Sequence, residues 1–382
     1  MEQWRSHSKL TSDRLDSDVI NLLRFILSVL VVMIHVDGRL VYSQYSGSWN
    51  GGLFDTFHIM FAQGVCRVAV PLFFLMSGFL YFNNLEQWNK DVYIKKEKRR
   101  VKSLLIPYII WNVIALVIFV SFQIINEGFS LYGIQSIWNQ YGGLRFLWDN
   151  NRVVDECSRN ILGVTMHNGF PFNGPLWFLR DLFIVTLMSP AIQWAIRHIG
   201  IAFPITLILL MIFNIGIPFE GFSPVAISYF STGAFISLNG RNLVEEMNKI
   251  EIISFFLFFA TLIASVIFYG CNHLLYGIFS AIMALAGCSS YINIASRLLQ
   301  QGRCHLKKIF VRSSFFIFAA QRLYIIPMAV AIANYLLPYD CEFTGIVRYL
   351  LSCTIVVTAC IGIYSVMCKV MPKTTSILTG GR

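Results

Sequence analysis

Acidic side chains are scarce in this chain, and the usual catalytic signatures are missing. Twenty Asp and Glu stand against 30 Lys and Arg in 382 residues, and charged residues of both signs make up only 13% of the sequence. So small a charged fraction lies far outside an ordinary soluble domain of this length. Nine cysteines occur without a Cys-x-x-Cys pair or a Cys/His ligand spacing, so they read as small core residues rather than a disulfide frame or a metal site. The sequence has no Gly-x-Gly-x-x-Gly, no Gly-x4-Gly-Lys-Ser/Thr and no His-Glu-x-x-His, which removes the common soluble-enzyme motifs. The net charge of +10 does not point to nucleic acid, because the basic residues cluster between apolar runs, where they set membrane orientation.

What the chain has in abundance is apolar sequence: 56% hydrophobic residues and a mean hydropathy of +0.63. An all-α polytopic transmembrane bundle is expected. Ten apolar stretches are long enough to cross a bilayer, near 19–36, 65–82, 104–125, 176–196, 200–217, 223–238, 252–270, 274–296, 313–336 and 346–368. With a cytoplasmic N-terminus, the segments 1–18, 83–103, 197–199, 239–251, 297–312 and 369–382 lie inside and hold 21 of the 30 Lys and Arg. The positive-inside bias therefore places both termini in the cytoplasm. The expected organisation is a cytoplasmic segment 1–18, a membrane domain 19–368 and a cytoplasmic tail 369–382. The first apolar run reads as a retained helix, since no small-residue cleavage pattern follows it.

Within that first run stand Arg24 and His35. An eleven-residue step returns almost to the same helix face with a rise of about 16 Å, so the two share a stripe near opposite leaflets. Arginine at a span centre costs roughly 2.5–3.5 kcal/mol on insertion scales and usually faces a wet cavity. The competing reading is an arginine snorkelling to the inner headgroups, with the histidine at the outer rim. Two longer connections stand out. The first is basic, with Lys90, Lys95, Lys96, Lys98, Arg99, Arg100 and Lys102, and reads either as an anchor on anionic lipid or as an anion site. The second, 126–175, carries Tyr132, Trp138, Tyr141, Phe146, Trp148, Phe170 and Phe172, either as interfacial belt residues or as the lining of a cleft.

Five local patterns then occur in one order. They are Arg24-x10-His35; RVAVPLFFLMSGFLYF at 67–82, with Arg67, Pro71, Ser77 and Gly78; RRVKSLLIPYIIWN at 99–112; GPLWFLRDLFIVTLMSP at 174–190; and SFFIFAAQRLYI at 314–325. Together they resemble the acyltransferase-3 family of integral membrane proteins that O-acylate surface polysaccharides. The resemblance implies an acyl-CoA donor, acetyl-CoA in the simplest case, a glycan or lipid-linked saccharide acceptor, and a bacterial cytoplasmic membrane. No metal is expected. Two positions depart from the family pattern. Lys102 stands where a second arginine is usual, which keeps the charge but loses the bidentate fork. Gln321 stands where a histidine is frequent, which removes a titratable group. No hydrolase-like extension follows the last span, so either direct transfer or completion by a separate protein is expected.

Acyl transfer to a hydroxyl needs a base at the hydroxyl and donors at the developing oxyanion. His35 is the candidate base and Arg24 its charged companion on the stripe. Arg67, Arg99, Arg100, Lys102 and Arg180 are the candidate donor-binding residues. Arg180 and Asp181 point to different faces of a helix and are expected to pair with other helices, with a buried structural ion pair as the competing role. Ser77-Gly78 reads as a close-packing site rather than a nucleophile. A transporter or flippase, with broken helices near Pro71, Pro218 and Pro224, is the alternative from another functional class, and a scaffold without activity is a third.

Overall fold

The computed structural model describes residues 2–45, 47, 49–83, 88–127, 130, 135–136, 139, 145–148, 158–161, 164–167, 169–213, 215, 222–304 and 307–381. Its elements in chain order are α1 (Glu2–His35), α2 (Ala69–Phe82), α3 (Lys90–Arg100), α4 (Ile106–Glu127), α5 (Trp177–Leu187), α6 (Ser189–Ile199) and α7 (Ala202–Ile212). There follow α8 (Pro224–Leu238), α9 (Glu251–Phe268), α10 (His273–Gln300), α11 (Lys308–Ala320), α12 (Ile326–Leu336), α13 (Glu342–Val370) and α14 (Pro372–Leu378). One short antiparallel hairpin pairs Ser158–Ile161 with Val164–His167 in the connection between α4 and α5. The chain is thus an all-α polytopic bundle, as composition requires.

Helix forms at every one of the ten apolar stretches. Among the described residues, seven helical stretches are long and apolar enough by themselves to cross a bilayer, and an eighth arises if Gly174–Leu187 and Ser189–Ile199, bent by 61°, form one span. α7 and α8 have 11 and 15 residues. At 1.5 Å per residue they reach about 16 and 22 Å, short of a hydrocarbon core of about 30 Å. Hydropathy registers apolar residues, not where a helix stops. Gly200, with φ of 70°, ends α6, and Ser223 caps α8 by accepting from Val225 N just ahead of Pro224.

Small residues let the short α8 pack where a longer helix would not. A Cβ on Gly78 of α2 would sit 2.0 Å from the Phe230 carbonyl oxygen, and one on Gly233 of α8 would sit 1.9 Å from that of Leu75. The two helices therefore cross backbone to backbone, and Ala226, Ser228, Phe230, Ser231 and Ala234 are buried along α8. Protein rather than lipid covers this helix.

The basic connection is not a loop but the helix α3, where hydropathy had no apolar stripe to register. Asn89 caps it by accepting from Val92 N at 2.9 Å, and beyond Arg100 it continues through the turn Val101–Leu105 into α4. Glu97 docks it: one carboxylate oxygen accepts from Tyr81 Oη at 2.6 Å and the other from Thr186 Oγ1 at 3.2 Å. Other polar contacts fix the two ends of the bundle. At one end, Asp16 accepts from Leu243 N and Val244 N, and Arg297 meets Glu251 at 2.5 Å. At the other, Glu342 accepts from Phe54 N at 3.1 Å, while Arg348 binds Asp340 at 2.8 Å and the Val41 carbonyl at 3.0 Å. The tail is packed rather than loose, since Leu378 O accepts from Trp111 Nε1 at 2.9 Å.

Candidate active site

α1 is unbroken across both residues of its polar stripe, and the charge of a basic residue from another element bears on each end of it. At one end, the charge of Arg100 bears on Arg24, which also reaches Asn21 Oδ1 at 3.3 Å. At the other end, the charges of Arg322 and Arg67 bear on His35. Two clusters result, about 16 Å apart along one helix.

His35 has a defined tautomer. Its Nδ1 lies 2.7 Å from the Val31 carbonyl oxygen, which can only accept, so Nδ1 carries the proton and Nε2 keeps a lone pair. The ring is half-buried, whereas Arg67 and Arg322 are exposed. Arg67 is steered by Gln63, whose side-chain oxygen accepts from both Nε and Nη2.

Among the described residues, widened π-type turns occur at Ile59–Gly64 and Val101–Leu105, and the helix kinks at Gln321–Ile325. Each contains or closely precedes one basic residue: Arg67, Lys102 and Arg322 respectively. Such turns re-aim side chains and recur at functional sites. The Arg100 guanidinium lies 5.4 Å and the Lys96 ammonium 5.0 Å from the centre of the Tyr81 ring, while Arg99 and Lys102 are exposed. Of the expected basic group, Arg100 thus packs over Tyr81, while Arg99 and Lys102 remain exposed.

Arg180 stands apart and corrects one expectation. It pairs with its own neighbour, Nε to Asp181 Oδ1 at 2.9 Å, because the long side chain folds back across the angular offset between adjacent helical positions. Its Nη1 donates to the carbonyls of Trp148 and Gly169 at 2.7 and 2.9 Å, and the guanidinium lies 4.7 Å from the Trp148 ring centre. Asp181 in turn accepts from Ser223 N at 2.9 Å. This is a clamp on the connection between α4 and α5, whose described aromatics fold back onto helices: Phe172 against Phe119 and Phe170 against Trp177. Tyr132, Trp138, Tyr141 and Pro218 lie outside the described residues. Pro71 is the third residue of α2, directly after the irregular turns Ile59–Gly64 and Val65–Val68.

Sequence reasoning passed over Arg322, although the signal was the one that exposed Arg24: an arginine in the middle of an apolar run, here 313–336. Among the described residues, no group of three or more His, Cys, Asp or Glu side chains is arranged to hold a metal.

The comparisons with known proteins follow the same helices. Residues 18–365 match the acyltransferase domain of the acyltransferase-3 family. Over 229 residues, 59% of this chain, the sequence is 29% identical to the succinoglycan biosynthesis protein ExoH of Rhizobium meliloti (strain 1021), and the match covers 55% of that relative. The chain thus spans about half the length of the curated relative. No solved structure matches. Since the matched region holds both clusters of the α1 stripe and every basic residue placed around them, the chain belongs to the acyltransferase-3 family, as a multi-pass membrane protein.

Proposed function

We propose that this protein is a membrane O-acyltransferase that moves an acyl group, acetyl in the simplest case, from cytoplasmic acyl-CoA to a hydroxyl of a cell-surface or lipid-linked glycan. Family membership supports the reaction class, and the relative's role in succinoglycan biosynthesis supports a glycan acceptor. The observation that carries the reading is His35, with Nδ1 committed to Val31 and Nε2 left to take a proton.

His35 acts as general base and then general acid. Nε2 removes the acceptor hydroxyl proton as that oxygen attacks the acyl carbon, and returns it to the departing sulfur. Arg24 and Arg100, with Arg99 and Lys102 at the rim, hold the donor's phosphates at the inner end. Arg67 supplies positive charge at the outer mouth. Arg180 acts through the Trp148 segment that it clamps rather than by touching the donor. Both termini and the basic helix α3 then face the cytoplasm of a bacterial cell, with the 126–175 connection outside.

The test is turnover by purified protein in nanodiscs, supplied with labelled acetyl-CoA and a glycan acceptor. Release of CoA together with label on the glycan is expected. Accumulation of a polar substrate in vesicles without CoA, and no CoA turnover, would instead make the protein a transporter.

A further inference from the structure

We infer that Tyr349 is the positioning residue for His35: its hydroxyl holds the last turn of α1, and with it the imidazole, in the pose that proton transfer needs. This rests on the acyl-transfer reading above and names what fixes the base in place.

The pose of the His35 ring is set by that turn. Its Nδ1 is bonded to the Val31 carbonyl at 2.7 Å, so the side chain is tied at one end to its own Cα and at the other to a carbonyl four residues earlier. Both anchor points lie in one helical turn, and a change in the turn moves the ring. The helix also ends here. α1 stops at His35, and by Asp37 the backbone has turned out of helical geometry, with ψ of 125°. Carbonyls in a final turn lack partners further along the axis and need them from elsewhere. The Val32 carbonyl still accepts from Val36 N at 3.1 Å. The next carbonyl, that of Met33, accepts from Tyr349 Oη at 2.6 Å. Met33 stands midway between Val31 and His35, so the hydroxyl grips the turn between the two points that hold the ring.

α13 is placed to deliver that hydroxyl. Tyr349 is fully buried, and its ring stands edge-on to Phe57 and His58 of the short helix Leu53–His58, with centres 5.9 and 5.4 Å apart, so it is packed against swinging away. Its neighbour Arg348 donates to Val41 O at 3.0 Å, so two successive residues of α13 hold the chain on either side of His35. One turn earlier, Gly345 permits the close approach, since a Cβ there would lie 3.0 Å from both Phe54 Cδ2 and Tyr42 Cβ. Met33 is held from a second direction as well: its Sδ lies 3.9 Å from Cys66 Sγ. The turn Val65–Val68, which carries Arg67, therefore touches the same residue that Tyr349 holds.

The hydroxyl is committed to Met33 and moves no proton in the reaction. Its effect falls on how well His35 Nε2 meets the acceptor hydroxyl, and donor binding is untouched. Loss of the hydroxyl should therefore lower kcat and spare KM.

Tyr349→Phe, His35→Asn and the double variant, purified and assayed with acetyl-CoA and a glycan acceptor, test the assignment. Tyr349→Phe removes one oxygen and keeps the packed ring, so it should fold, as its melting temperature will show. Its kcat should fall about 10–10²-fold, the upper figure being the cost of a misplacement of about 1 Å, while KM for acetyl-CoA stays within about twofold of wild type. The loss should vanish in the His35→Asn background, where no second ring nitrogen remains to be placed. Tyr229→Phe is the control: that tyrosine is equally buried, its hydroxyl has no hydrogen-bond partner among the described residues, and its removal should leave kcat at the wild-type value. Tyr349→Phe with kcat within about threefold of an active wild type would overturn the role. So would additive losses in the double variant, a rise in KM that accounts for the defect, or an equal fall in Tyr229→Phe. A wild type that never turns over acetyl-CoA would instead remove the acyl-transfer reading.

Discussion

Alanine at Gly78 would separate the two helices at the centre of the bundle. The added Cβ lands 2.0 Å from the Phe230 carbonyl oxygen, 2.8 Å from its carbon and 2.9 Å from its Cα. Close carbon–oxygen approaches between helices are about 3.3–3.6 Å, so α2 and α8 must part by more than about 1 Å. All three atoms are backbone, and no rotamer change relieves the clash. Parting also loosens the buried faces around Leu72, Leu75 and Phe79 on α2, and around Ala226, Tyr229 and Phe230 on α8. Overpacking costs typically 1–3 kcal/mol, and a rigid backbone contact puts this substitution near about 3 kcal/mol. Gly277→Ala is the control, since nothing lies within 4 Å of a Cβ there and alanine favours helix by roughly 0.5–1 kcal/mol. Thermal melting of the purified variants in one detergent should show Gly78→Ala well below wild type and Gly277→Ala at or above it. Equal melting temperatures for the two would refute the backbone crossing.

His35→Asn places an amide nitrogen where Nδ1 donates to Val31 but supplies no second ring nitrogen, so transfer should fall about 10²–10⁴-fold while melting is preserved; full activity would remove His35 as the base. Neutralising Arg99, Arg100 and Lys102 together should weaken CoA binding and flatten its salt dependence, and an unchanged titration would return α3 to the role of a lipid anchor. Cysteine accessibility in intact cells should place 130–170 and 83–103 on opposite sides of the membrane; labelling from one side alone would undo the orientation. A hydrogen bond from Ser43, and then the guanidinium of Arg348, hold the Asp340 carboxyl below the ordinary carboxylate range. A depressed native pKa gives stability that is present above the unfolded value of about 3.9 and is lost as pH falls through the native one. Asp340→Asn should therefore lessen the drop in melting temperature in acid, and an identical acid limb would show that the contact contributes nothing.

The parts of the fold legible from sequence were those written in single residues or short periods. Apolar runs located helix at all ten places, the eleven-residue step put Arg24 and His35 on one face, and Ser77-Gly78 marked a close crossing. What stayed hidden depends on distant partners. Tyr349 reaches Met33 from the far end of the chain, so the bond between them has no local trace. Lys90–Arg100 has no apolar stripe, and its helix is fixed by Glu97 reaching Tyr81 and Thr186. Arg180 was misjudged because helical geometry constrains where a Cβ points, not where a long side chain ends. The break at Tyr324 sets its ring against Phe122 of another helix, a partner that no reading of 313–336 contains.

An unbroken helix between two charged stations is also a measuring device. Because α1 runs without interruption from Glu2 to His35, the rise of about 16 Å from Arg24 to His35 is fixed by backbone geometry and does not breathe with loop motion. Under the proposed reaction, whatever is gripped by its phosphates at Arg24 and Arg100 must carry its acyl carbon across that length. A compact activated acid such as acetyl phosphate, anchored by the same charge, stops far short of the imidazole. Donor choice in this fold is then set less by affinity than by reach: the carrier must have a long, slender arm between anionic head and thioester.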